Sequence, residues 1–296
     1  MYQSVSGGKR MVTPTVDNEV RNEILAKLVA KLHQGVIPWR KNWQTGDPTR
    51  MPTNFLTRKQ YHGGVNKMNL WTAQQDGQFP TGYWATPLQW ARAGGIVLPN
   101  EKPEKIVRPI WGKGQFVASG YVPVEVYNLA QVDGIKVDFP TAPATYTPGT
   151  RTEFDELVDA TGILIVHGGD QCMYSYDLDV AFVPLPFRFP TYAAYCECVA
   201  HELLHATERR LNLVDGQQFL ELRAEIGAVF LLNECGIPDS GGLDNHAAYI
   251  DYWLNEMGDD PGYLQAAAEE ASKGVDFLLS FVRPGVCQKG LCKNGK

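Results

Sequence analysis

The segment His201-Glu202-Leu203-Leu204-His205 constrains the fold more than any other feature of this chain. Two histidines with this spacing lie one turn apart on one face of an α-helix, where both can bind the same metal ion. Glu202 lies about 100° around the helix from His201, so it can accept a proton from a metal-bound water without binding the ion itself. The pattern therefore predicts a helix with His201 and His205 as metal ligands and Glu202 as general base.

A catalytic site built on this motif needs a third protein ligand. A metzincin would have a histidine six residues after His205, but position 211 is leucine. Glu225, 20 residues after His205, interrupts the apolar stripe of the next predicted helix, and a carboxylate in such a stripe needs a cation. We therefore predict Glu225 as the third ligand of a gluzincin-like site. The alternatives are Glu221, Glu208 and Asp215.

This set of ligands predicts a zincin-type metallopeptidase. Zn²⁺ is the expected ion, although two histidines and one carboxylate also accept Mn²⁺ or Fe²⁺. Two other interpretations stay open: the histidines can be unrelated residues on an exposed helix, or the metal can be structural. A structural site needs a fourth protein ligand, and no cysteine or histidine stands at a suitable spacing in the sequence, which favours an open catalytic site.

Charge divides the chain into two unequal parts. Residues 1–150 contain 17 Lys and Arg against 10 Asp and Glu, whereas residues 151–296 contain 10 against 23. This asymmetry makes the basic part a candidate for binding nucleic acid. Residues 138–152 contain three prolines and five threonines, which is typical of a linker. We therefore predict two domains, residues 1–137 and 153–296, joined by residues 138–152.

The predicted fold class is α+β, with a small mixed α/β domain followed by a mainly helical domain. In the first domain, apolar periodicity predicts helices at 20–32, 65–75 and 87–93 and strands at 106–107, 115–117 and 122–127. In the second domain it predicts helices at 153–160, 192–208, 217–235, 247–257 and 263–281. A β-hairpin pairs 163–167 with 173–183 through a turn at 168–170, and its second strand is the candidate edge for an extended peptide.

Aromatic and basic residues alternate in the first domain, where six of the seven tryptophans lie between residues 39 and 111. Binding of single-stranded nucleic acid uses cations for phosphates and rings for stacking bases. The alternative is that the tryptophans form the small core and the cations form a solvated face. Trp84 and Trp90 are expected in the core. The candidate DNA-binding residues, with Trp39 and Trp43 as preferred stacking rings, are Trp39, Arg40, Lys41, Trp43, Arg58, Lys59, Tyr61 and Lys67.

The sequence also predicts the cellular setting. It contains neither the apolar core of a signal peptide near its start nor an apolar stretch of membrane-spanning length, so we expect a cytoplasmic protein without membrane contact. Six cysteines in a chain of this size are then expected as reduced thiols, with a Cys287–Cys292 pair as the alternative.

Taken together, these motifs resemble the ArdC family of plasmid antirestriction proteins over nearly the whole chain. In the first domain the matching segments are Pro38-Trp39-Arg40, Tyr61-His62-Gly63-Gly64-Val65-Asn66, Tyr83-Trp84-Ala85-Thr86 and Gly94-Gly95. In the second they are His167-Gly168-Gly169-Asp170, Tyr174, Pro184, His201-Glu202-Leu203-Leu204-His205, Arg223-Ala224-Glu225-Ile226-Gly227-Ala228 and Asn245-His246-Ala247-Ala248-Tyr249-Ile250.

The resemblance implies a first domain that binds single-stranded DNA and is shared with some plasmid primases. It also implies a second domain similar to Spartan-type DNA-dependent proteases, in a protein that protects DNA entering by conjugation from host restriction. The peptide substrate is then a host protein, with a component of the restriction system as one candidate. The alternative function is a DNA-coating protein with a structural metal site, and a secreted peptidase would leave the basic domain unexplained.

Overall fold

The computed structural model describes residues 19–40, 49–111, 118–137, 151–238, 240, 246–258 and 260–283. Most of the predicted linker therefore lies outside the described residues, and the domain boundaries stay a prediction. The described part is a two-domain α+β structure, as the sequence predicts. Among the described residues, no helix combines the length and the apolar character that crossing a lipid bilayer requires.

The first half combines three helices with short and long strands. Its elements are α1 (Glu19–His33), β1 (Thr53–Asn54), α2 (Gly64–Asp76), β2 (Tyr83–Ala85), α3 (Pro87–Arg92), β3 (Ile96–Val97), β4 (Glu104–Trp111), β5 (Ala118–Asn128) and β6 (Val132–Asp133). Four strands form one sheet in the order β1-β2-β5-β4, and β3 pairs with β6. All three predicted helices are confirmed. The predicted strand at 115–117 lies outside the described residues, whereas those at 106–107 and 122–127 lie in β4 and β5.

Five helices and one small sheet make up the described second half. Its elements are α4 (Glu153–Thr161), β7 (Leu164–His167), β8 (Met173–Ser175), β9 (Val180–Val183), α5 (Tyr192–Arg210), α6 (Gln217–Glu234), α7 (His246–Met257) and α8 (Gly262–Leu279). The Thr191 side chain caps the start of α5 by accepting a hydrogen bond from the backbone N–H of Ala194. The predicted helices are confirmed with small shifts at their ends.

The hairpin prediction is wrong in its pairing. The strand at 163–167 was expected to pair with its neighbour in sequence, but β7 pairs in parallel with β9, and β8 pairs with β9 in antiparallel register. The hairpin is therefore formed by β8 and β9 alone, and the strand order is β7-β9-β8. Strand β8 lies at the edge of this sheet, as the prediction of a peptide-binding edge requires.

One hydrophobic cluster spans both halves, and two smaller clusters lie within the first half. Helices α1 and α2 pack against α8, and the same cluster of buried residues includes α5 and α6. Aromatic rings join the halves directly: the ring centroids of Trp39 and Trp253 lie 5.7 Å apart, as do those of Trp71 and Phe230. Polar contacts add to this interface, since Arg50 Nη1 lies 2.7 Å from Glu153 Oε2. The first half is therefore held in a defined position relative to the second.

The expectation that all six cysteines are reduced is wrong for one pair. Cys172 and Cys198 are joined by a disulfide that connects the segment before β8 to α5. Cys196 and Cys235 are free and buried, and burial raises the pKa of each thiol to about 12. Cys287 and Cys292 lie outside the described residues.

Candidate metal centre

Close packing of three helices brings the two histidines of α5 next to the carboxylates of α6. A Cβ atom added to Gly227 on α6 would lie 2.6 Å from Leu204 Cδ1 on α5, so these helices meet at a distance that only glycine allows. Gly274 on α8 has the same role, because its Cβ would lie 2.7 Å from the same Leu204 atom. This contact aligns the histidine-bearing turn of α5 with the carboxylates of α6.

Three side chains converge at this contact: His201, His205 and Glu221. The two Nε2 atoms lie 3.0 Å apart, and Glu221 Oε2 lies 3.3 Å from His201 Nε2 and 3.6 Å from His205 Nε2. Donor atoms bound tetrahedrally at about 2.1 Å from one ion lie about 3.4 Å apart. The group therefore has the spacing and the chemistry to hold a divalent metal ion. Among the described residues, this is the group of histidine, cysteine or acidic side chains that meets these conditions.

Glu225, the predicted third ligand, is not part of this group. Its Oε2 lies 3.9 Å from His201 Nδ1, the nitrogen on the far side of the ring from the converging Nε2 atoms. Its Oε1 lies 3.1 Å from Arg40 Nη2. Glu221 lies one turn earlier on α6, and residues four apart share a helix face, so both carboxylates point towards α5. The predicted buried carboxylate does have a cation, but that cation is an arginine.

The environment of His205 fixes which nitrogen faces the other ligands. Glu208 Oε1 accepts a hydrogen bond of 2.8 Å from His205 Nδ1, and a carboxylate can only accept, so in the neutral ring that binds a metal ion Nδ1 carries the hydrogen and the lone pair is on Nε2. Burial lowers the pKa of His205, but hydrogen bonds to Glu208 and Glu221 outweigh burial and raise the pKa to about 9. These same histidines hold the pKa of Glu221 well below its usual range. The negative charge around the imidazoles favours a bound cation.

A buried network supports Glu208 in turn. Tyr176 donates a hydrogen bond of 2.6 Å to Glu208 Oε2, and Arg223 Nη1 lies 3.9 Å from Glu208 Oε1. Arg223 is fully buried and also donates to the Leu204 carbonyl at 2.9 Å and to Thr207 Oγ1 at 2.6 Å. An unpaired carboxylate would be costly at this depth, so the arginine and the histidine together stabilise it.

Glu202 lies on the wall of a cleft of about 660 Å³ that also contains the three converging side chains. Only 4% of its surface is exposed. Burial raises the pKa of its carboxyl, while the neighbouring histidines and the backbone N–H of Tyr174 lower it, and burial prevails. A carboxyl with a raised pKa beside a metal centre is suited to taking up and returning a proton.

The tyrosines that precede α5 have different partners. Tyr174 is buried, and its hydroxyl donates to Asp179, directed away from the converging ligands. Tyr176 lies on the wall of the cleft, but its hydroxyl is bound to Glu208. In this geometry both hydroxyls are bound to carboxylates of the protein, so neither is directed at a substrate carbonyl.

Four of the predicted DNA-binding residues are buried or bound within the protein. Trp39 is fully buried against Trp253, and Arg40 is 7% exposed and bound to Glu225. Lys67 is 5% exposed, with its Nζ 5.4 Å from the centroid of the Phe230 ring. The structure places these three residues at the interface between the two halves and not on an exposed surface.

Tyr61 is the fourth of these residues, and it is bound inside the first half. Its hydroxyl accepts from Asn54 Nδ2 at 3.1 Å and donates to the Trp84 carbonyl at 3.2 Å, and burial raises its pKa to about 12. Trp84 and Trp90 are buried in the core, as predicted.

Arg58 and Lys59 are exposed and remain candidates for DNA contact. They lie in the turn that follows β1, where the Arg58 guanidinium carbon stacks 4.4 Å from the centroid of Phe55 and 5.0 Å from that of Tyr83. Such a stack holds the cation in place at the surface. Lys41 and Trp43 lie outside the described residues.

Three residues of the site were missed or ranked low from the sequence: Glu221, Glu208 and Arg223. Glu208 lies three residues after His205, a spacing at which helical side chains meet, and this signal could have identified it as a partner of the imidazole. Arg223 lies in the apolar stripe of α6, where a cation needs a carboxylate just as Glu225 needs a cation.

Two family models match separate parts of the chain. Residues 18–124 match the N-terminal domain of the anti-restriction factor ArdC, and residues 152–270 match a zincin-like metallopeptidase. The second match covers β7 to α6 and therefore every converging side chain.

Curated relatives include two DNA primases TraC from Escherichia coli. One is 29% identical over 88% of this chain, and the other is 28% identical over 90%. The chain spans only 20% of the length of the first primase and 27% of the second.

Among solved structures, the antirestriction protein ArdC from plasmid R388 is similar in both a metal-free and an Mn(II)-bound form. The metal-free structure has a TM-score of 0.72 at 28% identity, covering 89% of this chain and 97% of that one. The Mn(II)-bound structure has a TM-score of 0.71 at 27% identity, covering 89% and 98%. The similarity therefore extends across both halves.

Proposed function

Because this chain belongs to the ArdC family of antirestriction proteins, we propose that it is a metal-dependent peptidase that binds single-stranded DNA and protects incoming DNA from host restriction. The observation that carries the peptidase proposal is the convergence of His201, His205 and Glu221 beside the buried Glu202. Three protein ligands leave a coordination position for water or substrate, which is the arrangement of catalytic metal sites.

The proposed ligands are His201, His205 and Glu221. Two imidazoles and one carboxylate suit Zn²⁺ and also accept Mn²⁺, and the related R388 protein has an Mn(II)-bound form. A bound ion would polarise the scissile carbonyl and lower the pKa of water to about 7. Glu208 orients the His205 ring through Nδ1 and so keeps Nε2 directed at the other ligands.

Glu202 is the proposed general base. Its carboxylate accepts a proton as water attacks the carbonyl carbon, and the resulting carboxylic acid donates that proton to the leaving amine. Glu202 lies on the wall of the same cleft as the three proposed ligands, within reach of a water bound between them. The peptide itself can pair with the exposed edge of β8, which borders the same cleft through Met173 and Tyr174.

Single-stranded DNA is the proposed ligand of the first half. The excess of basic residues in residues 1–150 supports this, as does the match to the N-terminal domain of ArdC. Arg58 and Lys59 are the exposed cations that we assign to phosphate contact among the described candidates. The proposed peptide substrate is a host protein bound to the incoming strand, with a component of the restriction system as the first candidate.

The test replaces Glu202 with Gln, which removes the base and leaves the three ligands in place. Glu156→Gln on α4 is the matched control, since Glu156 is exposed and lies outside the cleft lining. We expect Glu202→Gln to keep its metal and to lose peptidase activity by about 10²–10⁴-fold, the usual contribution of a general base. It should also lose protection of a plasmid entering a restricting recipient. Full protection by Glu202→Gln with metal still bound would refute a proteolytic mechanism and favour the DNA-coating alternative.

A further inference from the structure

One arginine of the first half reaches the metal centre of the second. Arg40 Nη2 lies 3.1 Å from Glu225 Oε1 and 3.9 Å from Glu197 Oε2, and the Arg40 side chain is 9% exposed. Glu225 Oε2 lies in turn 3.9 Å from His201 Nδ1. The chain of contacts therefore runs from residue 40 through α6 to a proposed ligand on α5.

Both sides of the interface fix the position of Arg40. Its carbonyl accepts a hydrogen bond of 2.6 Å from Gln75 Nε2 on α2, and its N–H donates to the Ile37 carbonyl at 3.1 Å. The preceding residue, Trp39, is fully buried against Trp253 of α7. The guanidinium therefore enters the second half from a rigid backbone and is not a mobile surface side chain.

The charges explain why a cation is needed there. Glu221 and Glu225 lie one turn apart on α6, and like charges at this spacing repel each other. Arg40 neutralises Glu225 and keeps its carboxylate on the Nδ1 side of His201, which leaves Glu221 to face the two Nε2 atoms. Without Arg40, Glu225 would be a second partly buried anion that competes with Glu221 for the same cation.

We propose that Arg40 is a positioning residue of the metal centre, which selects Glu221 over Glu225 as ligand and orients His201 through Glu225. This inference rests on the proposed function and extends it, since the half of the chain that matches the ArdC N-terminal domain then completes the metal centre of the peptidase half. Arg40 should act on metal affinity, because residues that orient metal ligands typically change that affinity by about 10–100-fold.

The experiment compares Arg40→Gln and Arg40→Lys with Arg50→Gln. Arg50 is the matched control because it also joins the halves, through Glu153 at 2.7 Å and the Glu234 carbonyl at 2.8 Å, without contacting the proposed ligands. Dissociation constants for Mn²⁺ and Co²⁺ are measured by competition with a chromophoric chelator, and the visible spectrum of the Co²⁺ form reports the ligand geometry. Thermal unfolding of each variant is recorded in parallel.

We expect Arg40→Gln to weaken Co²⁺ binding by about 10–100-fold and to alter the Co²⁺ spectrum. Arg40→Lys should recover part of the affinity, because lysine supplies the charge without the planar fork. Arg50→Gln should leave the Co²⁺ affinity and the Co²⁺ spectrum unchanged. If Arg40→Gln does not fold, Glu225→Gln removes the same contact from α6 and should show the same weakening.

Wild-type affinity and spectrum in Arg40→Gln, or in a folded Glu225→Gln, would overturn the inference and leave the proposed function intact. An equal loss of Co²⁺ affinity in Arg50→Gln would also overturn the inference, because the loss would then come from weakening the interface in general. Failure of the wild-type protein to bind Mn²⁺ or Co²⁺ would instead refute the proposed function. The two failures are therefore distinguishable.

Discussion

The contact between Leu204 and Gly227 gives a prediction that links packing to the metal centre. Leu204 lies between two glycines of neighbouring helices, and a Cβ atom at Gly227 would lie 2.6 Å from its Cδ1 and 2.7 Å from its Cγ. Leu204 Cδ1 also packs against Gly274 of α8, where an added Cβ would lie 2.7 Å away. Because Leu204 lies between the two helices, we expect Gly227→Ala to push α6 away from α5.

The expected cost follows from two opposing terms. Overpacking of this kind costs about 1–3 kcal/mol, and the better helix propensity of alanine returns about 1 kcal/mol. Gly227→Ala should therefore destabilise the fold by up to about 2 kcal/mol. Leu204→Ala alone should cost about 2–5 kcal/mol through loss of buried volume. In the double variant the clash is gone, so its cost should be smaller than the sum of the two by about 1–3 kcal/mol.

Urea denaturation of wild type, Gly227→Ala, Leu204→Ala and the double variant measures the coupling free energy between the two substitutions. Metal titration of Gly227→Ala should also show weaker binding, because moving α6 moves Glu221 away from the two histidines of α5. Additivity of the two substitutions to within about 0.5 kcal/mol would refute the reasoning that these residues compete for one volume.

Three further predictions address the interface, the DNA surface and pH. Trp39→Ala should destabilise the fold by about 3–5 kcal/mol in thermal or urea unfolding, because the ring is fully buried, and a near-neutral effect would contradict its place in the shared core. Lys59→Ala should change stability by less than about 0.5 kcal/mol. It should weaken binding of a single-stranded oligonucleotide and reduce the slope of log binding constant against log salt concentration by about 1. An unchanged slope would exclude a phosphate contact. Burial raises the pKa of Glu153, but its bonds to Arg283 and Arg50 prevail and lower it. This group therefore stabilises the fold above its ordinary pKa of 4.5, and the stabilisation is lost as pH falls through the lower folded pKa. The stability difference between wild type and Glu153→Gln should thus shrink in acid, and a difference that is independent of pH would contradict this assignment.

The sequence predicts the helices of this protein well because their apolar periodicity is strong. The His201 and His205 pair is equally local, since the spacing alone places both rings on one face. The third ligand is harder to predict, because Glu221 and Glu225 lie one turn apart and both face α5. In the structure Glu225 is bound to Arg40, which is 185 residues from Glu225 in the sequence. Periodicity within α6 contains no information about such a partner.

The burial of three DNA-binding candidates could not be predicted for a related reason. Alternation of tryptophans and cations is typical both of a nucleic-acid surface and of an interface between two parts of a chain. Trp39, Arg40 and Lys67 belong to the interface, where each contacts α6 or α7. Strand pairing also depends on contacts between distant segments. Strand β8 follows β7 in the sequence, but β7 pairs with β9, which the chain forms only after β8.

The most direct test of the central claim is a metal titration of wild type, Glu221→Ala and Glu225→Ala. We expect wild type to bind one divalent ion through His201, His205 and Glu221. Glu221→Ala should lose most of this affinity, whereas Glu225→Ala should retain the site with an affinity weakened by no more than about 100-fold. Retention of wild-type affinity by Glu221→Ala, together with loss of the ion in Glu225→Ala, would contradict the account.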